Sequence, residues 1–267
     1  MSPSTFQSSL SITHIGTATA IFKIDDVNLL TDPFFSPAGT TWDVGSGNFL
    51  KNTETPALGL ENLPVIDAIL LSHEDHPDNL DDFGRQLLNG RLVFTTVDGA
   101  NNLAPRPGVR GMKPWETAST VLRGVEYDIT ATPCKHLPGG ECTGFILSTA
   151  EFGVGPDGRP NAIYFTGDTV YIDELAMIPE KFHIVAAVMN LGSAHAALPD
   201  GLVQITMDGK QAAHLFRTIK ADKLVPMHYE SWDHFTQFGQ DLVKVFKEEG
   251  IFEDVCWLTP GKSVKII

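Results

Sequence analysis

The apolar runs of this chain are short, and several stop abruptly in imidazoles and carboxylates. Ala68 to Leu71 has the length and Ile/Leu content of a buried strand. It runs straight into Ser72, His73, Glu74, Asp75, His76, Pro77, Asp78 and Asn79. Leu80, Phe83, Leu87 and Leu88 then recur at helical spacing, with Asp78 or Asn79 as the N-cap this pattern predicts. Upstream, Leu10 to Phe22 alternates in part and predicts a strand, and Asp25-Asp26 turns the chain into a second strand, Val27 to Leu30. That strand ends in Thr31-Asp32-Pro33. Residues 36 to 64, rich in Gly, Pro, Asn and Thr, predict a long loop carrying Trp42 and Phe49. It is either a cover for a cleft or a surface excursion pinned by its aromatics.

The same pattern continues downstream. Arg91 to Thr96 predicts a strand, and Val121 to Thr132 predicts two, the last running into Pro133-Cys134-Lys135-His136. Gly144 to Thr149 and Ala162 to Phe165 predict a hairpin whose second arm ends in Thr166-Gly167-Asp168-Thr169. Ile184 to Asn190 is an apolar strand, and Leu224 to Pro226 a brief one that runs into Met227-His228-Tyr229. Helices are expected around Ala212 to Ile219 and Phe238 to Phe246, with Gly250 stopping the second. Val255 to Leu258 and Val264 to Ile267 read as closing strands. The two halves echo one another: a hairpin runs into Thr31-Asp32 and again into Thr166-Gly167-Asp168, a strand into Ser72-His73 and again into Met227-His228. That suggests two similar halves with their strand ends meeting at one site.

Composition narrows the possibilities. With 267 residues, 42% of them hydrophobic, the chain can bury an ample core, and no linker divides it, so residues 1–267 are read as a single domain. A net charge of −14 argues against nucleic acid as a partner and leaves a small-molecule substrate. Three cysteines without paired spacing fit a reducing, cytoplasmic compartment. No apolar stretch is long enough for a membrane span, and Met1 to Leu10 lacks a secretory signal. The oligomeric state is left open.

Four strand ends thus offer metal donors: His73 with His76 and Asp78, then His136, Asp168 and His228. Charges and imidazoles beside buried strands are costly unless something compensates them, and a divalent cation does so. Neutral imidazole with carboxylate is the donor mix of zinc, with manganese or iron also possible. The expected arrangement is one ion on His73, His76 and His136, a second on Asp78 and His228, and Asp168 bridging both. Such a pair lowers the pKa of a shared water toward about 7.

The sequence resembles the metallo-β-lactamase superfamily, and within it the ascorbate-6-phosphate lactonases and the N-acyl-phosphatidylethanolamine phospholipase D group. The resemblance rests on Ile12-Thr13-His14-Ile15-Gly16-Thr17-Ala18-Thr19 through Leu30-Thr31-Asp32-Pro33, on Thr166-Gly167-Asp168-Thr169 and Pro226-Met227-His228-Tyr229, and on Leu198-Pro199-Asp200-Gly201 with Thr206-Met207-Asp208. It implies an α/β fold, a four-layer αββα sandwich of two mixed sheets with helices outside. The family signature His-x-His-x-Asp-His is met only with one residue inserted after His73, which places Asn79 where a second-metal histidine stands. Asp75 or Glu74 is expected to compensate, and Thr17 replaces a histidine of the opening hairpin.

The function implied is metal-dependent hydrolysis, a metal-bound hydroxide attacking a carbonyl or phosphoryl centre of a lactone, ester, thioester, amide or phosphodiester. Catalytic roles fall to Asp78, which can orient the water, and His195, which can orient substrate or protonate a leaving group. Asp32 is expected to hydrogen-bond a ligating histidine. His14 reads as structural, His183, His214 and His234 as solvent-facing, and Cys134 as a core thiol. Tyr229 and Trp42 either line the pocket or pack in the core. The competing functions are iron-dependent redox chemistry on the same fold and a metal-binding, non-hydrolytic role.

Overall fold

A computed structural model describes residues 6–43, 49–137, 140–198 and 201–267. The Pro199-Asp200 part of the sequence landmark lies outside the described residues. The chain begins with β1 (Leu10–Gly16), β2 (Thr19–Ile24) and β3 (Val27–Thr31), then a small hairpin of β4 (Thr41–Asp43) and β5 (Phe49–Lys51). Next come β6 (Ala68–Leu70), α1 (Asp82–Leu87), β7 (Val93–Thr96), α2 (Val97–Asn102) and β8 (Val109–Met112). The second half holds β9 (Thr117–Leu122), β10 (Val125–Pro133), β11 (Thr143–Ser148), β12 (Asn161–Phe165), α3 (Ile178–Lys181) and β13 (His183–Asn190). A hairpin of β14 (His195–Leu198) and β15 (Gly201–Gln204) precedes α4 (Gly209–Thr218), β16 (Leu224–Met227), α5 (Gly239–Glu248) and β17 (Ser263–Lys265).

These strands form two mixed sheets. The first has seven strands in the order β17-β1-β2-β3-β6-β7-β8, the second six in the order β16-β13-β12-β11-β10-β9. Each half repeats one plan, an antiparallel hairpin followed by parallel neighbours: β2–β3 then β6, and β11–β12 then β13 and β16.

Three apolar clusters hold the layers together. Ile12, Phe22, Leu70 and Phe94 of the first sheet meet Phe145, Phe165, Val188 and Val225 of the second. Phe22 packs edge-on against Phe165, with ring centroids 6.0 Å apart. Ile69 and Leu71 point the other way, under Leu80 and Leu88, while α4 and α5 cover Ala187 and Met189 on the far face. Ala68 to Leu71 is therefore buried on both faces, which is why its sequence is continuously apolar rather than alternating. The layers run helix, sheet, sheet, helix, as the resemblance implies.

Several local expectations differ. Leu10 to Phe22 is two strands, because Thr17 adopts a left-handed φ of 49° and folds β2 back on β1. Helix α1 is capped by Asp81, which accepts from Gly84 N at 2.7 Å; Asp78 and Asn79 stay outside the helix. Asp81 also accepts from Phe35 N (2.9 Å) and Ser36 Oγ (2.6 Å), so the cap doubles as a loop anchor. Phe83 is 45% exposed, so it does not belong to the buried face. The 36–64 segment contains the β4–β5 hairpin. Residues 255–258 make only one bridge, Leu224 to Val255, rather than a strand.

The turn after β12 depends on Gly167, whose φ is +59°. A Cβ there would lie 2.5 Å from Thr143 O and 2.9 Å from Ser72 Cβ. Gly158 has a φ of +77° but open space around it. Gly158→Ala should therefore cost about 1–2 kcal/mol, the left-handed penalty alone. Gly167→Ala adds a backbone clash and should cost at least about 3 kcal/mol. Urea unfolding of the two variants checks the difference; equal losses would contradict it.

Candidate metal centre

Strands β10, β12, β13 and β16 run in one direction through the second sheet, and β3 and β6 run parallel in the first. Their carboxyl ends meet at one edge of the sandwich, where parallel strands leave room for a site. His73 follows β6, His136 follows β10, Asp168 follows β12 and His228 follows β16. Asp32, which follows β3, has a φ of 30°, and His228 one of 55°. Non-glycine residues are held in this sparsely populated region only where their surroundings over-determine them.

The six candidate ligands fall into two groups of three. In the first, His73 Nε2 and His136 Nε2 each lie 3.0 Å from His76 Nδ1. The other contacts of the rings set their tautomers. Ser72 Oγ gives its proton to Asp32 Oδ2 at 2.8 Å, so toward His73 Nδ1, also at 2.8 Å, it accepts. His73 Nδ1 therefore carries the hydrogen and Nε2 presents a lone pair. His136 Nδ1 likewise donates to Ile205 O at 2.7 Å, leaving its Nε2 bare. One hydrogen on His76 Nδ1 can serve only one of those two nitrogens, whereas a cation at their centre satisfies all three. Burial, then the neighbouring imidazoles His76 and His136, push His73 well below the usual histidine range. Burial also lowers His136, with Asp168 opposing it. Both rings are neutral, the form that ligates.

In the second group His228 Nε2 lies 3.3 Å from Asp168 Oδ2 and 3.4 Å from Asp78 Oδ2. A charge-assisted hydrogen bond is shorter, about 2.7–2.9 Å, and neither nitrogen of this buried ring makes a hydrogen bond. The three atoms surround a point rather than contact one another. Burial would lower His228, but the carboxylates of Asp168 and Asp78 outweigh it and push it up to about 10. Burial likewise would raise Asp168, but His228, then His136 and His73, hold it well below the usual carboxylate range. Asp168 thus feels the charge of imidazoles in both groups. Asn190 Nδ2 donates to Asp168 Oδ1 at 2.7 Å and leaves Oδ2 to face His228.

Outside the two groups, several expectations are corrected. Glu74 turns away to Arg85 (3.0 Å) and Asn102 (2.9 Å), and Asp75 is exposed, so neither compensates for Asn79. Asn79 donates to Asp32 Oδ2 at 3.1 Å. Asp32 reaches His73 only through Ser72, accepting from Ser72 N (2.6 Å) and Oγ (2.8 Å). Burial pushes Asp32 up to about 7 against these donated bonds. Thr17 donates to the Asp78 carbonyl at 3.2 Å, so it positions the ligand loop.

His195 lies outside both groups, half-buried at the start of β14, with Nδ1 on Ser193 O at 2.8 Å. Tyr229 packs against Trp257, and Trp42 against Phe34 and Trp232, so both pack among apolar side chains. His14 contacts Thr17 O at 2.9 Å, and His214 is exposed. His183 is half-buried and pairs with Asp222 at 3.0 Å rather than facing solvent. Cys134 is half-buried, its Sγ 3.4 Å from Thr166 O. The largest revision concerns His234: it is 16% exposed, with Nε2 3.7 Å from Asp78 Oδ2. Asn190 was also missed. Its only signal in the sequence is an amide closing an apolar strand.

The β-lactamase superfamily domain model matches residues 27–229, which span every candidate ligand. A metal-dependent hydrolase of the UPF0173 family from Solibacter usitatus is 30% identical over 96% of this chain and all of its own length. A UPF0173 metal-dependent hydrolase from Methanopyrus kandleri is 25% identical over 95% of this chain and 99% of its own. Among solved structures, an isothiocyanate hydrolase from Delia radicum gut bacteria superposes with a TM-score of 0.77 at 21% identity, covering 95% of this chain and 98% of its own. Two mixed sheets, strand ends gathered at one edge and these matches agree: the chain belongs to the metallo-β-lactamase superfamily and, within it, to the UPF0173 metal-dependent hydrolases.

Proposed function

We propose that this hydrolase works through two adjacent divalent ions, one held by His73, His76 and His136, the other by Asp78 and His228, with Asp168 between them. The observation that carries the reading is the pair of converging donor groups, His73 with His76 and His136, and Asp168 with Asp78 and His228. Zinc suits three neutral imidazoles, and manganese or iron suits the oxygen-richer group. When bound, such ions lower the pKa of water and polarise a carbonyl or phosphoryl oxygen.

The remaining work falls to the chain. Ser72 and the Ile205 carbonyl fix the tautomers of His73 and His136, so both rings face inward without rearrangement. Asn190 aims Asp168, and Thr17 holds the backbone of Asp78. Asp78 keeps Oδ2 beside His228 as the ion's donor, and its other carboxylate oxygen would orient the attacking water. The β14–β15 hairpin begins at His195 and leads back to Ile205, which holds His136. We assign His195 to the rim of the site, where its ring can orient substrate or donate to a leaving group.

The substrate we propose is a small molecule bearing a lactone, ester, thioester, amide or phosphodiester bond. The likeness of the opening hairpin and the Thr-Gly-Asp-Thr turn to lactonases and phosphodiesterases puts lactones and phosphodiesters first. A net charge of −14 disfavours strongly anionic ligands. Among the described residues no helix is long and apolar enough to cross a membrane.

Protein purified without added metal should contain close to two equivalents of zinc, manganese or iron by mass spectrometry. It should hydrolyse at least one member of a panel of lactones, thioesters, phosphodiesters and isothiocyanates. Iron with oxygen consumption and no hydrolysis would replace this reading with redox chemistry. Asp168→Ala should lose at least one equivalent of metal and about 10³-fold in kcat/KM, or ~4 kcal/mol. Asn190→Ala, which removes only the support of Asp168, should weaken metal affinity about 10–100-fold. Full retention of metal and activity in Asp168→Ala would sink the assignment.

A further inference from the structure

The group of Asp78, Asp168 and His228 supplies three donors, and the residue beside Asp78 adds none. Asn79 is fully buried, and its Nδ2 is committed to Asp32 at 3.1 Å. Glu74 is held by Arg85 and Asn102, and Asp75 faces solvent. A further imidazole approaches Asp78 from a distant part of the chain, the loop between β16 and α5. His234 Nε2 stands 3.7 Å from Asp78 Oδ2, the same oxygen that lies 3.4 Å from His228 Nε2.

These separations are informative. Donors bound at about 2.0–2.1 Å in a tetrahedral shell lie about 3.4 Å from one another. Asp168 to His228 is 3.3 Å and Asp78 to His228 is 3.4 Å. His234 reaches the group from the Asp78 side alone, at 3.7 Å, and lies outside the set whose donor atoms are all within 4.8 Å of one another, so it would complete the shell by a small inward turn of its ring. His234 Nδ1 is buried and has no hydrogen-bond partner among the described residues.

Packing holds the ring instead. Phe235 lies against His228 (4.9 Å between centroids) and His234 (4.7 Å), and Trp232 flanks His234 at 5.8 Å. The loop backbone is tied down on both sides. Asn52 bridges to Trp232, Lys51 N donates to Asp233 Oδ1 at 3.1 Å, and Thr236 Oγ1 donates to Ser193 O at 2.6 Å. The β4–β5 hairpin is thereby joined to the segment that presents His234.

We propose that His234 is a fourth protein donor to the second ion, filling the position beside Asp78 that Asn79 leaves vacant. The inference rests on the two-ion reading above. It gives the 36–64 segment a task, bracing the loop that carries a ligand. It also gives the second ion two imidazoles and two carboxylates, a set that suits zinc as well as harder ions.

The test is zinc titration of the metal-free full-length protein by competition with a chromophoric chelator, with far-ultraviolet circular dichroism reporting the fold. The wild type should bind two ions. His234→Ala should bind the first as before and the second at least about 100-fold more weakly. Adding Asn79→His to that variant should recover at least tenfold of the loss, because an imidazole returns to the neighbouring backbone position. His214→Ala, on the exposed face of α4, should change neither ion. If His234→Ala does not fold, His234→Gln is titrated in its place. Two ions bound with unchanged affinity in the folded His234 variant would overturn the proposal, even if turnover fell, since that pattern belongs to a proton donor. A wild type that binds fewer than two ions would instead overturn the two-ion reading itself.

Discussion

Electrostatic compensation at one edge of the sandwich governs the rest of this structure. Bare imidazole nitrogens and carboxylate oxygens crowd together at about 3 Å in a region largely removed from water. Side chains that only packed or hydrogen-bonded would avoid this arrangement. Lone pairs facing one another in the first group repel, and in the second two carboxylates crowd one ring and push its pKa up to about 10. A cation at each centre, as proposed, would satisfy these donors. Ser72, Ile205 and Asn190 occupy the far sides of their partners so that the near sides remain available.

The sheets supply the rigidity that such crowding needs. Each donor follows a strand that is buried on both faces or packed between the sheets, so its Cα is fixed by the core. The backbone is strained at Asp32, directly after β3, and at His228, directly after β16. Strain of this kind costs of order 1–3 kcal/mol per residue, and the surrounding core makes it tolerable. Gly167 shows the same tightness, with backbone and Ser72 closing on the space where a side chain would begin.

Much of this was legible in the sequence because one physical rule recurs. A run apolar on both faces must be a buried strand, and a sudden change to His or Asp at its end marks an edge where something polar is bound. Ser72-His73, Thr166-Gly167-Asp168 and Met227-His228 all follow that rule, whereas the layer order was implied by the family resemblance alone. His234 does not follow it. It lies in a loop between aromatics, with no periodicity to place it, and only the folded chain brings it to Asp78. The direction of Glu74 was equally hidden, because Arg85 and Asn102 approach from separate elements. Asp81 outcompetes Asp78 and Asn79 as a cap because it also anchors Phe35 and Ser36, contacts with no local signature.

The most direct test is anomalous X-ray diffraction at the zinc edge from crystals equilibrated with Zn²⁺. Two peaks about 3.5–4 Å apart are expected, one enclosed by His73, His76 and His136, the other by Asp78, Asp168 and His228. No peak within either group, or peaks only at surface carboxylates, would contradict the central claim.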